Sequence, residues 1–153
     1  MFISYKDNQE YLALKNPDNY NIEIFRLRDN KKIATLIKHQ DYIKTIRYFI
    51  NDKNENEYPI SGNEDKKVIV WDITNNYNIK CNIDTKYRDT IFSCLFLFPN
   101  NLNDNYIITS ISSNLGNNEK SATKIFLLKD ENNIPIKYFD NPSNESIYYL
   151  LSW

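Results

Sequence analysis

Glycine is almost missing from this 153-residue chain, which has only Gly62 and Gly116. A loop that cradles phosphate with bare backbone amides needs several glycines, so a phosphate-binding nucleotide site is not expected. Cysteine is as sparse: Cys81 and Cys94 cannot build the multi-bridge framework of a small secreted domain. They read as two buried, reduced thiols, Cys81 lying on the apolar side of a strand with Ile79 and Ile83. No pair of Cys or His stands at metal-ligand spacing, and His39 is the single histidine. No apolar run approaches the roughly 20 residues of a membrane helix. Met1 to Asp7 lacks the basic start and apolar stretch of a signal peptide. Neither charge dominates: 19 Lys and Arg against 20 Asp and Glu leave a net charge of −1. That offers no electrostatic footprint for a dedicated nucleic-acid binder and no polybasic block for anionic lipid. These absences point to an intracellular protein, in the cytoplasm with the nucleus left open, needing no cofactor, metal or membrane.

What is present favours strands. Apolar residues make up 41% of the chain and aromatic residues 14%, enough to build one ordinary core, while alanine is scarce. Short apolar stretches alternate with clusters of Asn, Asp and Lys, and almost none shows helical spacing over ten residues. The expected fold class is therefore all-β. Asparagine is heavily used and tolerates left-handed backbone angles, so it can build turns that glycine would otherwise supply.

The apolar stretches repeat. Ser61 lies ten positions before Trp71 and Asp65 six before it; the same offsets from Phe25 fall on Lys15 and Asn19, with no gap needed. A third copy runs through Tyr106–Ile111 and Thr123–Leu128, with Phe126 at the Trp71 position. The marker positions 25, 71 and 126 are 46 and 55 residues apart. The first interval is near a repeat period of about 40–45 residues, and the second carries insertions. The second copy predicts strands over 42–50, 58–62, 67–73 and 77–83. The third should open with an innermost strand over 91–98, apolar at nearly every position because both its faces are covered.

The stretch His39-Gln40-Asp41-Tyr42-Ile43-Lys44-Thr45-Ile46-Arg47-Tyr48, followed by Ser61-Gly62-Asn63-Glu64-Asp65-Lys66-Lys67-Val68-Ile69-Val70-Trp71-Asp72, resembles the opening and close of a WD repeat. The second copy matches at almost every diagnostic position; the flanking copies match by pattern only. The resemblance implies a β-propeller segment of about three four-stranded antiparallel blades: one over about 1–37, a second over 39–83 and a third over 88–139. A further strand over about 145–153 would open a fourth blade. Three blades and one strand do not close a ring of the usual four to eight blades. The expectation is a fragment of a longer propeller; the competing reading is self-association of copies to complete a ring.

The resemblance also implies roles for residues. His39, Ser61, Asp65 and Trp71 would form a hydrogen-bonded tetrad that locks the blade, so His39 is expected to be structural rather than a catalytic base. Asp41, Tyr42, Lys44, Asn63, Glu64 and Arg88 would gather on the face where such propellers take protein or peptide partners, together with the Asn-rich insertion over 112–121. A calcium loop over 51–57 is disfavoured for want of a turn glycine and spaced acidic ligands, and reads as a solvated connection. No nucleophile elbow or other catalytic signature is present. The expected function is a non-enzymatic scaffold for protein–protein interaction, with no small-molecule substrate. The alternatives are an RNA-binding propeller module, given the basic and aromatic residues near Lys44, Arg47, Lys86 and Arg88, or a regulatory part of a larger, for example kinase-linked, chain.

Overall fold

The structure, a computed structural model, describes residues 2–4, 7–51, 56–85, 90–97, 106–111, 122–127 and 134–140. All regular elements there are β-strands. The first four are β1 (Phe2–Ile3), β2 (Glu10–Lys15), β3 (Ile22–Arg26) and β4 (Lys31–Leu36). The next four are β5 (Ile43–Asn51), β6 (Asn56–Asn63), β7 (Lys67–Asp72) and β8 (Asn78–Asp84). The last four are β9 (Ile91–Leu97), β10 (Tyr106–Ile111), β11 (Ala122–Leu127) and β12 (Pro135–Asp140). Each set of four pairs antiparallel in chain order, giving three separate four-stranded sheets. Short connections favour this arrangement, because antiparallel neighbours can be joined by a tight turn whereas parallel ones need a long crossover.

The period-two alternation of side chains decides how the sheets stack. In β7, Val68 and Val70 point to one face and pack with Tyr58, Ile60 and Ile83 against Ile91, Cys94, Ile107 and Phe126 of the third sheet. Ile69 and Trp71 point to the other face and join Ile43 and Ile73 against Tyr11, Ile22, Ile24 and Leu36 of the first sheet. The middle sheet is thus sandwiched, which is why β7 is buried at five of its six positions. The fold is all-β, three sheets stacked in chain order like successive propeller blades. The predicted strand over 145–153 and the insertion over 112–121 lie outside the described residues.

Register supports the equivalence of the three units. The pairing of the third strand with the fourth slips between Ile24 and Phe25, between Val70 and Trp71, and between Ile125 and Phe126. In each case the extra residue (Ile33, Lys80 and Ile136 in turn) lies on the fourth strand beside the marker's partner, while Trp71 faces the first sheet and Phe126 the second. The ungapped alignment of the first unit needs one correction. Ser61 pairs with Ile69, two residues before Trp71, whereas the partner of Glu23, two residues before Phe25, is Leu14. The last β2–β3 pair, Lys15 with Ile22, encloses one residue more than the last β6–β7 pair, Gly62 with Val68, so Leu14, not Lys15, occupies the Ser61 position.

Asparagine takes left-handed backbone angles at Asn8, Asn30 and Asn76. Lys66, Tyr20 and Tyr77 do the same, the two tyrosines less commonly for their bulk. The expected alternation along β8 is only partly seen: Ile83 is buried and Cys81 half-buried, but Ile79 is exposed. The slip beside Trp71 pairs Trp71 with Ile79 and Val70 with Cys81, so the strand changes phase between them. Both cysteines are free.

Candidate functional site

His39, Ser61, Asp65 and Trp71 come together between the β4–β5 connection, β6, the β6–β7 turn and β7. The His39 Nε2 lies 2.7 Å from Ser61 Oγ, and the Trp71 indole Nε1–H donates to that same oxygen at 3.1 Å. On its other side, His39 Nδ1 lies 3.4 Å from Asp65 Oδ2. The donor inventory allows one consistent proton arrangement for a neutral ring. The carboxylate can only accept, so Nδ1 carries the proton; Nε2 then accepts the Ser61 hydroxyl proton, and the Ser61 lone pairs accept the indole N–H. Asp65 is further held by the backbone N–H of Gln40 (3.0 Å) and of Lys67 (3.0 Å). Burial pushes its carboxyl up, but hydrogen bonds from His39, Asn63 and Gln40 outweigh that and leave it below the ordinary carboxylate range. Ser61 is fully buried and Trp71 nearly so, and inside a sheet sandwich their polar atoms have no water to turn to.

This network pins the start of β5 to the β6–β7 turn, and the residues beside it form a small surface. Glu64 N–H donates to the Tyr42 carbonyl at 3.1 Å, and Lys44 forms an ion pair with Glu64. The Tyr42 ring stands exposed, edge-on to Tyr20 of the first sheet at 5.2 Å between centroids. Asp41 is half-buried. Asn63 departs from the expected contact face: it is fully buried, and its side-chain amide donates to the Asp41 carbonyl at 3.3 Å. It shapes the surface from beneath and is not presented on it. Arg88, Lys86 and the insertion over 112–121 lie outside the described residues. Tyr20, which no sequence pattern singled out, is the residue that completes the surface.

At the opposite end of the same two sheets stands Glu57, read from sequence as part of a solvated connection. It is fully buried, and the Ser4 hydroxyl lies 2.8 and 3.0 Å from its two carboxylate oxygens, donating between them. Nothing local in the sequence marks this pair, since 53 residues separate the partners. Among the described residues no three His, Cys, Asp or Glu side chains converge as a metal site would require. No helix among them is long and apolar enough to cross a membrane.

Compared with known proteins, the chain matches no family model and no curated relative.

Proposed function

We propose that this chain is part of a WD-repeat propeller and serves as a non-enzymatic scaffold that presents the Tyr42 surface to a protein or peptide partner. The observation that carries the reading is the Tyr20–Tyr42 pair. Two rings from adjacent sheets meet edge-on at 5.2 Å, and Tyr42 keeps half its surface in solvent. Large amphipathic rings on a rigid base lose little conformational entropy on contact and are favoured anchors of interfaces. The base here is rigid because the buried His39–Ser61–Trp71 chain ends three residues from Tyr42. Lys44 and Glu64 flank the rings with one charge of each sign, suiting a partner segment of mixed charge.

The test places a photo-crosslinking residue at position 42 and, in a second protein, at exposed position 82 on the outer strand β8. Irradiation in native extract should give discrete protein adducts from position 42 that are absent from position 82. Adding Tyr20→Ala to the first protein should weaken them without shifting the melting midpoint. Identical adducts at both positions would sink the proposal. Adducts removed by ribonuclease would replace it with an RNA-binding role.

A further inference from the structure

The end of the first two sheets away from Tyr42 contains a cavity of about 440 Å³. Ser4, Asp7 and Tyr11 of the first unit and Thr74 and Tyr77 of the β7–β8 turn line it. Asp7 is the charged group among these lining residues, beside the hydroxyls of Ser4, Tyr11, Thr74 and Tyr77. Asp7 contributes a carboxylate whose Oδ2 accepts the Tyr11 hydroxyl at 2.5 Å and whose Oδ1 accepts the Gln9 N–H at 3.1 Å. Behind Ser4 sits the buried Glu57 carboxylate. Burial, then the Asp7 carboxylate, pushes Tyr11 up to about 12. Burial raises Tyr48 and Tyr77 as well, and both also feel the negative charge of Asp7 and Glu57. Among the described residues the cation that Asp7 feels is Arg26, which Asp29 engages through two hydrogen bonds of 3.0 and 2.6 Å.

Backbone geometry sets the aromatic wall. Asn76 and Tyr77 hold φ of 54° and 60°, the paired left-handed angles of a tight hairpin turn, where Asn and Gly are the easy residues. A tyrosine at the second position places a ring on the cavity wall at a site that backbone preference alone would give to something smaller.

We propose that this cavity binds the guanidinium group of an arginine side chain presented by a partner. A planar cation can lie against the tyrosine rings while its fork of N–H donors reaches the carboxylate edge of Asp7, a combination an ammonium point charge meets less well. The volume accommodates an extended arginine side chain with its first shell of contacts. The site lies at the other end of the sheets from Tyr20 and Tyr42, so it stands whether or not that surface binds a protein.

The experiment titrates the whole chain with N-acetyl-arginine-N-methylamide by calorimetry, against N-acetyl-norleucine-N-methylamide, an apolar side chain of similar reach. Saturable binding of the arginine probe alone is expected. Asp7→Asn should weaken it by about tenfold, the loss of one charge-assisted contact, and Gln40→Ala should leave it unchanged. If Asp7→Asn does not fold, Tyr77→Gly decides instead: glycine suits the left-handed turn, and removal of the ring should weaken the arginine probe to a similar degree. Three results would each overturn the assignment: no saturation with folded protein, equal binding of the norleucine probe, or undiminished binding in the variant that folds.

Discussion

Gly62 of β6 lies against Ile91 of β9 so closely that a β-carbon at position 62 would stand 2.8 Å from Ile91 Cγ2. Thr45 Cγ2 would be 3.1 Å away on the neighbouring strand. The backbone at Gly62 does not take a left-handed angle, so the requirement for glycine is one of space between two sheets. Gly62→Ala should therefore destabilise the chain by about 1–3 kcal/mol, as overpacking of a close contact does. Denaturant unfolding of the single variants and of Gly62→Ala with Ile91→Ala provides the check. The double variant should lose less than the two single losses combined, because removing the Ile91 methyl makes room for the new one. Strict additivity would count against the contact.

His39→Ala removes both the acceptor of the Ser61 hydroxyl and a donor to Asp65 in a buried setting. The expected loss is about 1–3 kcal/mol of unfolding free energy, the usual penalty for stranding buried polar groups. For a chain of this length each kcal/mol lowers the melting midpoint by about 2–4 °C. Gln40→Ala, at an exposed neighbour whose backbone bond to Asp65 survives the change, should melt within about 0.5 kcal/mol of the parent. Equal melting of the His39 variant and the parent would mean that the network contributes nothing.

Acid should act through Asp65. Its carboxyl is held below its ordinary value of 3.8 in the folded chain, so the folded state binds that proton less readily than the unfolded one. The contribution is complete above the unfolded value and is lost as pH falls from about 4 through the lower folded value. Unfolding free energy measured from pH 6 to about 2 should decline over that window. The decline should be shallower in Asp65→Asn, which starts less stable but has no charge to lose.

Alkali acts with the opposite sign. Tyr11 is raised from 10.0 to about 12, so the folded chain holds its phenolic proton more tightly than the unfolded chain does. That stabilisation is fully present below pH 10 and is lost as pH rises through the folded value. Midpoints recorded between pH 8 and pH 12 should fall above about 10, and less steeply in Tyr11→Phe. A flat profile in the parent would contradict the arrangement of Tyr11 beside Asp7.

Much of this architecture was legible in the order of residues, and the reasons are local. The apolar run Val68-Ile69-Val70-Trp71 lies in the strand predicted over 67–73, and the structure gives each of its faces its own sheet. Expected strands over 42–50, 58–62, 67–73 and 77–83 fall within two residues of β5 to β8 at every end. The first unit was read one residue out because a turn can absorb an extra residue without disturbing the apolar pattern on either side. Asn63 was assigned to the surface because turn residues usually are, but its amide is drawn inward by the Asp41 carbonyl.

The sequence by itself determined the all-β class and the recurrence of one unit, because strand periodicity and short-range spacing are carried by neighbouring positions. The meeting of His39, Asp65 and Trp71 at Ser61 was implied only by the resemblance to a WD repeat. Only the tertiary structure decided which side chains from different sheets would face one another. It brought Tyr20 to Tyr42, Ser4 to Glu57, and Asp7 to Tyr77, pairs separated by 22 to 70 positions. Such pairs depend on how one twisted sheet docks on the next, a geometry summed over many weak apolar contacts that no single stretch of residues records.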